Sequence, residues 1–213
     1  MKKVLALLLV MSGCATILTS GCATILLSGC ATRETTSAGV QIATQSESEK
    51  VVDRYSDRIE SYNGLYNTLQ AAATLHNSVV SAAILDQKAR LFQWDQGKFD
   101  AQKLESQEKL GKETEVFISF FTPDKKHDDL NKNPSLWKIF LDVNGRRYEG
   151  KVTKIKLQTV EVQSLYGYHN RFSTPYQLIF PISVRLVENY PSKLTLTGPV
   201  GSATLNFNPL EKP

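Results

Sequence analysis

The chain has 213 residues, 41% hydrophobic and 22% charged, which is enough apolar material for a sizeable core and too much for a disordered chain. Its formal charge of +4 falls to +2 once Lys2 and Lys3 are set aside, leaving 23 basic against 21 acidic residues, a balance that gives no support to nucleic-acid binding. All three cysteines lie in the first 30 residues, so the remaining 183 hold no disulfide framework, no Cys-based zinc site and no thiol nucleophile.

The opening MKKVLALLLVMSGC has the anatomy of a secretory signal. Lys2 and Lys3 form a positive start, Val4 to Met11 a short apolar run, and small residues follow. A spanning helix needs about 20 consecutive apolar residues. Val4–Met11 is too short, and the longer stretch to Leu27 is broken by Ser12, Gly13, Thr19, Ser20 and Gly21. SGCATIL at 12–18 recurs at 20–26 and as SGCAT at 28–32, a period of 8 residues and too short for a solenoid unit.

Leu27-Ser28-Gly29-Cys30 places a branched apolar residue and two small residues before a cysteine, and in this the N-terminus resembles the bacterial lipoprotein class. The resemblance covers only about the first 35 residues and implies cleavage before a cysteine that carries lipid. Met11-Ser12-Gly13-Cys14 is the alternative match, and Thr19-Ser20-Gly21-Cys22 the poorest. Cleavage before Cys30 leaves no free thiol, whereas cleavage before Cys14 leaves Cys22 and Cys30 open to oxidation. Residues 1–29 are therefore expected to be a signal peptide and Cys30 the lipidated residue, with Cys14 as the alternative. Two or more acyl chains anchor a protein stably where one does not. In a two-membrane envelope the resemblance further implies that Ala31 permits outer-membrane sorting.

Residues 30–46 are small and polar and read as the lipidated cysteine with a flexible tether that lifts the body off the lipid. From 47 to 112 the pattern is helical. Val52, Tyr55, Ile59, Tyr62, Tyr66, Leu69, Ala73, His76, Val80 and Ala83 recur at spacings of three and four, like a coiled-coil stripe. With Asn63-Gly64 as a break, the expectation is two helices, 47–62 and 65–94, with a polar extension to about 110; one long stalk helix is the alternative. Either way the stripe offers a face for a second copy of the chain.

From residue 113 the texture turns to β. Strands are expected at 115–121, 136–143, 147–157, 159–165, 176–184, 193–197 and 202–207. Asn144-Gly145 is a strong hairpin signal because a type I′ turn needs positive φ twice. Pro181 demotes its strand to an edge or a bulge. The fold class is thus α+β: an N-terminal helical hairpin or long helix, then an antiparallel β-sandwich of Ig-like architecture with about seven strands.

Catalytic motifs do not emerge. The chain lacks G-x-S-x-G, a P-loop and H-E-x-x-H. His76 falls on the helical stripe, and His127 sits beside Asp128 and Asp129 in a Lys-rich loop, where adjacent residues do not by themselves converge on one metal ion. Tyr166, Tyr168, His169 and Arg171 form the most contact-like stretch. Asp142 and Glu149 flank the hairpin as the first carboxylate pair to consider. Arg146, Arg147, Lys151, Lys154 and Lys156 make a basic run that could meet acidic glycans or simply guard a sheet edge. No catalytic residue, metal site or cofactor is assigned. The expected function is a non-enzymatic lipoprotein of the cell envelope, a binding or structural module with a protein or glycan partner. An envelope hydrolase and a carrier of a small ligand or metal are the alternatives.

Overall fold

The computed structural model describes residues 33–211. The three cysteines, with the expected signal and lipidation site, lie outside these residues. The described residues form one compact unit.

The body is structured from Arg33 onward. β1 (Arg33–Thr35) pairs antiparallel with β2 (Gln41–Ala43). Val40 and Ile42 are fully buried beside Ala89 and Phe99, and this apolar contact is why the segment expected to be a flexible tether is folded instead. α1 (Gln45–Arg54) begins at a capping box in which Thr44 and Glu47 each serve the other's backbone N–H.

The two long helices expected over 47–94 are not formed. α1 ends at Arg54, and a hairpin of β3 (Ser56–Asn63) and β4 (Tyr66–Leu75) follows, turning through Gly64 at φ +61°. Only then come α2 (Ser78–Leu91) and α3 (Gln96–Lys112), capped by Asn77 and Asp95. The physical reason lies in two overlapping periodicities. Leu69, Ala71, Ala73 and Leu75 alternate at a period of two and all face the core, while the same residues also satisfy a helical spacing. The coiled-coil stripe is therefore divided among a helix, a hairpin and a second helix. Leu69, Ala73, Val80 and Ala83 are buried within this chain rather than offered to a second copy.

β5 (Thr114–Phe121) falls where the alternation of Val116, Ile118 and Phe120 put it. β6 (Lys138–Val143) and β7 (Arg146–Glu149) turn through Asn144 and Gly145, both at positive φ. The expected strand 147–157 is split. β7 ends at Glu149, and β8 (Lys151–Lys154) joins a different sheet after Gly150. The expected strand 159–165 is a helix, α4 (Thr159–Leu165), because Val162, Leu165 and Tyr166 bury at helical spacing while Val160 stays 68% exposed. β9 (Thr174–Phe180) stops before Pro181 and is an interior strand, so Pro181 marks its end rather than an edge. α5 (Val184–Asn189), β10 (Ser192–Gly198) and β11 (Gly201–Phe207) complete the body.

The larger sheets are antiparallel, ordered β3-β4-β5-β9-β8 and β11-β10-β6-β7. Their facing surfaces interdigitate Leu69, Ile118, Phe120, Leu178, Leu141, Leu194 and Leu205 into one core, a sandwich-like α+β arrangement. The chain crosses between them at Gly150, where an added Cβ would meet the Phe180 ring at 2.6 Å. β4 lies directly beside β5, so the segments 47–112 and 113–213 share one sheet instead of forming a helical part and a separate sandwich. The outer face of the five-stranded sheet is covered by α1, α2 and α4, which close over Phe117.

Candidate functional site

β5 presents Glu115, Phe117 and Ser119 on this covered face, since alternate residues point away from the core. Each meets a side chain that the sequence keeps far away. His76, just past β4, donates its backbone N–H to the Glu115 carbonyl at 2.9 Å. Its ring stands with Nδ1 3.7 Å from the Glu115 carboxylate and Nε2 2.8 Å from the Tyr166 hydroxyl. The tautomer with the proton on Nδ1 suits both neighbours: N–H faces the carboxylate, and Nε2 accepts from the phenol. Tyr166 in turn lies flat on Phe117, centroids 3.6 Å apart and planes 2° from parallel.

Burial sets the charge states. The His76 side chain is only 12% exposed, and desolvation lowers its pKa to about 4 despite Glu115, so the imidazole is neutral at neutral pH. Desolvation also holds the Tyr166 phenol well above its ordinary range. Lys88 on α2 is half-buried, and burial pushes its ammonium down against the pull of Glu115. The Lys88 carbonyl accepts from the Phe92 N–H at the helix end, but among the described residues its ammonium has no hydrogen bond or ion pair.

Two cavities meet at this group, and His76, Lys88 and Glu115 line both. One, of about 110 Å³, opens between α2 and α3, where Gln102, Glu105 and Lys109 form the far wall beside Ile84, Leu85 and Trp94. Glu105 and Lys109 neutralise each other at 2.9 Å. The other, of about 160 Å³, runs under α4 and is walled by Phe117, Ile155, Leu157, Val162 and Leu165.

The four contact candidates separate. Tyr166 and His169 are buried, with His169 Nδ1 hydrogen-bonded to the Ser119 hydroxyl at 2.8 Å. Tyr168 is half-buried, reaches Thr74 Oγ1 at 2.5 Å and carries the Arg58 guanidinium 4.8 Å above its ring. Arg171 is exposed, over the ring of Phe172. The stretch therefore works mainly inward, and one of its members, Tyr166, lines the cavity under α4. His76, Lys88 and Glu115 were not singled out together in the sequence, because 90 residues separate His76 from Tyr166 and the β4–β5 pairing brings them to one place.

The remaining candidates are tied into the fold. The Asp128 carboxylate accepts from Thr174 and, at 2.9 Å, from the Tyr176 hydroxyl. Asp129 accepts from the Leu136 backbone at 3.2 Å, and the His127 carbonyl accepts from the Trp137 indole at 2.7 Å. Among the described residues no three His, Cys, Asp or Glu side chains converge as metal ligands. Asp142 is bound by Arg147 through two bonds of 2.8 and 2.9 Å, which hold its carboxyl below the usual range. Glu149 lies on the neighbouring strand, opposite Phe140. Arg146 and Arg147 lie on the edge strand of one sheet, Lys151 and Lys154 on the edge strand of another.

At the surface, the tip of the β3–β4 hairpin stands out. Tyr62, Leu65 and Tyr66 are 56%, 97% and 81% exposed on a stretch, Ser61–Asn67, without a charge. No helix among the described residues is long and apolar enough to cross a membrane. Neither a known protein family nor a curated protein nor a solved structure matches the chain.

Proposed function

We propose that this chain is an exported lipoprotein of the cell envelope, anchored through lipid on Cys30, whose body binds partners and carries out no catalysis. The lipobox Leu27–Cys30 supports the anchor. With Cys30 as the lipidated residue, three residue steps reach the first strand at Arg33, a span of at most about 11 Å. The body would then be held close to the bilayer. In a two-membrane envelope that bilayer is the outer membrane.

The observation that carries the interaction reading is the hairpin tip. A nearly fully exposed leucine flanked by two exposed tyrosines, at the end of a strand pair, is the composition of a contact anchor. Its partner would be an envelope protein presenting an apolar recess. The changes Leu65→Ser and Tyr66→Ser together should leave thermal stability unchanged, since neither side chain packs in the core. In-cell crosslinking with partner identification should then capture a defined envelope protein with the wild type and lose it with the double variant. Equal capture by both proteins would exclude the tip. Intact mass of the mature N-terminal peptide tests the anchor independently, and a peptide retaining Ser28 ahead of Cys30 rules out Cys30.

Hydrolysis is the second reading, favoured by the chain Glu115–His76–Tyr166. The phenol speaks against it. A nucleophile is activated by a lowered pKa or a competent base, whereas burial raises Tyr166 and keeps it flat against Phe117.

A further inference from the structure

The two cavities that meet at His76, Lys88 and Glu115 differ in character. One carries Gln102, Glu105 and Lys109 on its far wall, the other is walled by Phe117, Leu157, Val162 and Leu165, and one cation and one anion stand at their junction without closing an ion pair. An unpaired, half-buried ammonium weakens a protein unless something compensates it. The pull of Glu115 offsets that cost only in part, the nearby Lys109 repels the ammonium, and Glu105 is engaged by Lys109. His76 adds no charge at neutral pH and is held in one orientation by Tyr166. Volumes of about 110 and 160 Å³ are far below the 300–1,000 Å³ of a site for a drug-sized molecule, so an occupant has only a handful of heavy atoms.

We infer that this junction is a binding site for a free α-amino acid with a medium-sized apolar side chain. The ligand's carboxylate pairs with the Lys88 ammonium, its ammonium with the Glu115 carboxylate, and its side chain fills the cavity under α4. The ligand's two opposite charges, one carbon apart, answer an ammonium on α2 and a carboxylate on β5 that line the same two cavities. A peptide, whose termini lie further apart, does not fit both. The α2–α3 seam is the way in: Ser81 and Ser106 line it from either helix, and Phe99 is the one buried side chain of α3. The inference rests on the reading of the body as a binding module and adds a ligand class to it.

The test is calorimetric titration and thermal shift of the full, detergent-solubilised chain with L-leucine. 4-Methylpentanoate, 3-methylbutylamine and glycine each lack one of the three recognised groups. Leucine should bind saturably and raise the melting temperature, and each truncated probe should bind at least tenfold more weakly. Lys88→Met should bind leucine at least tenfold more weakly while melting at or above the wild-type temperature, because it keeps the apolar stem and removes the unpaired charge. Lys193→Met, on the opposite sheet, should bind as the wild type does. The proposal is overturned if neither leucine, valine nor phenylalanine binds saturably, if Lys88→Met binds leucine as tightly as the wild type, or if 4-methylpentanoate equals leucine. None of these outcomes bears on crosslinking through the hairpin tip, so failure here leaves the partner-binding reading standing on its own test.

Discussion

His76 shows how one side chain can make the whole body sensitive to acid. Its pKa is near 4 in the folded protein and ordinarily 6.5. Between those values the unfolded chain takes up a proton that the folded chain refuses, so stability is complete above pH 6.5 and falls as pH drops toward 4. From pH 7 to 5 this one group costs about 2 kcal/mol by linkage. His169, also lowered by burial, acts in the same direction. His76→Gln, which preserves a hydrogen-bonding partner for Tyr166, should flatten the curve by that amount in urea unfolding followed at pH 7, 6 and 5. Parallel wild-type and variant curves would show that the imidazole takes up its proton over the same pH range in both states. Gly150 shows the opposite kind of constraint, steric rather than electrostatic. A methyl group there meets the Phe180 ring at the point where the chain changes sheets. Gly150→Ala should destabilise by about 1–3 kcal/mol, seen as a lower denaturation midpoint at unchanged slope.

Among the elements, the same dipeptide was read in two ways. Asn144-Gly145 lies between aromatic and β-branched runs, reads as a hairpin and is one. Asn63-Gly64 lies before Leu-x-x-x-x-x-Ala-Ala-Ala, where alanine's helix preference hides a strand, and the turn reads as a helix break. What overrides propensity is pairing, since β4 gains ladder bonds on both sides, from β3 and from β5. α4 fails in the reverse direction. Thr-Val-Glu-Val alternates like a strand, yet Glu161 accepts the Gln158 N–H at 2.7 Å and opens a helix that buries Val162 and Leu165, with Tyr166 at its C-cap, over Phe117. Gly64 sits at φ +61°, which an alanine resists, so Gly64→Ala should cost about 1 kcal/mol of thermal stability with the fold intact.

For the whole molecule, the decisive fact is that β3 and β4 complete the sheet begun by β5. A chain divided at 112/113 would strip one edge of β5 of its partner and open the core at Leu69, Ala71, Ala73 and Leu75. The fragment 113–213 should therefore lack a cooperative urea transition, whereas residues 31–213 unfold in a single step followed by circular dichroism. A fragment that unfolds cooperatively would mean that the sheet has a separable half.

The sequence by itself determined the local features. These are the β5 alternation, the Asn144-Gly145 turn and a body without cysteine. Such features are legible because a turn or an alternation is written in adjacent residues. Only the tertiary structure decided that Leu69–Leu75 is a strand, that Thr159–Leu165 is a helix, and that His76, Lys88, Glu115 and Tyr166 line one cavity. The reason is the same for all three. Each depends on a partner tens of residues away, and the free energy of burying one surface against another has no signature in either segment read alone.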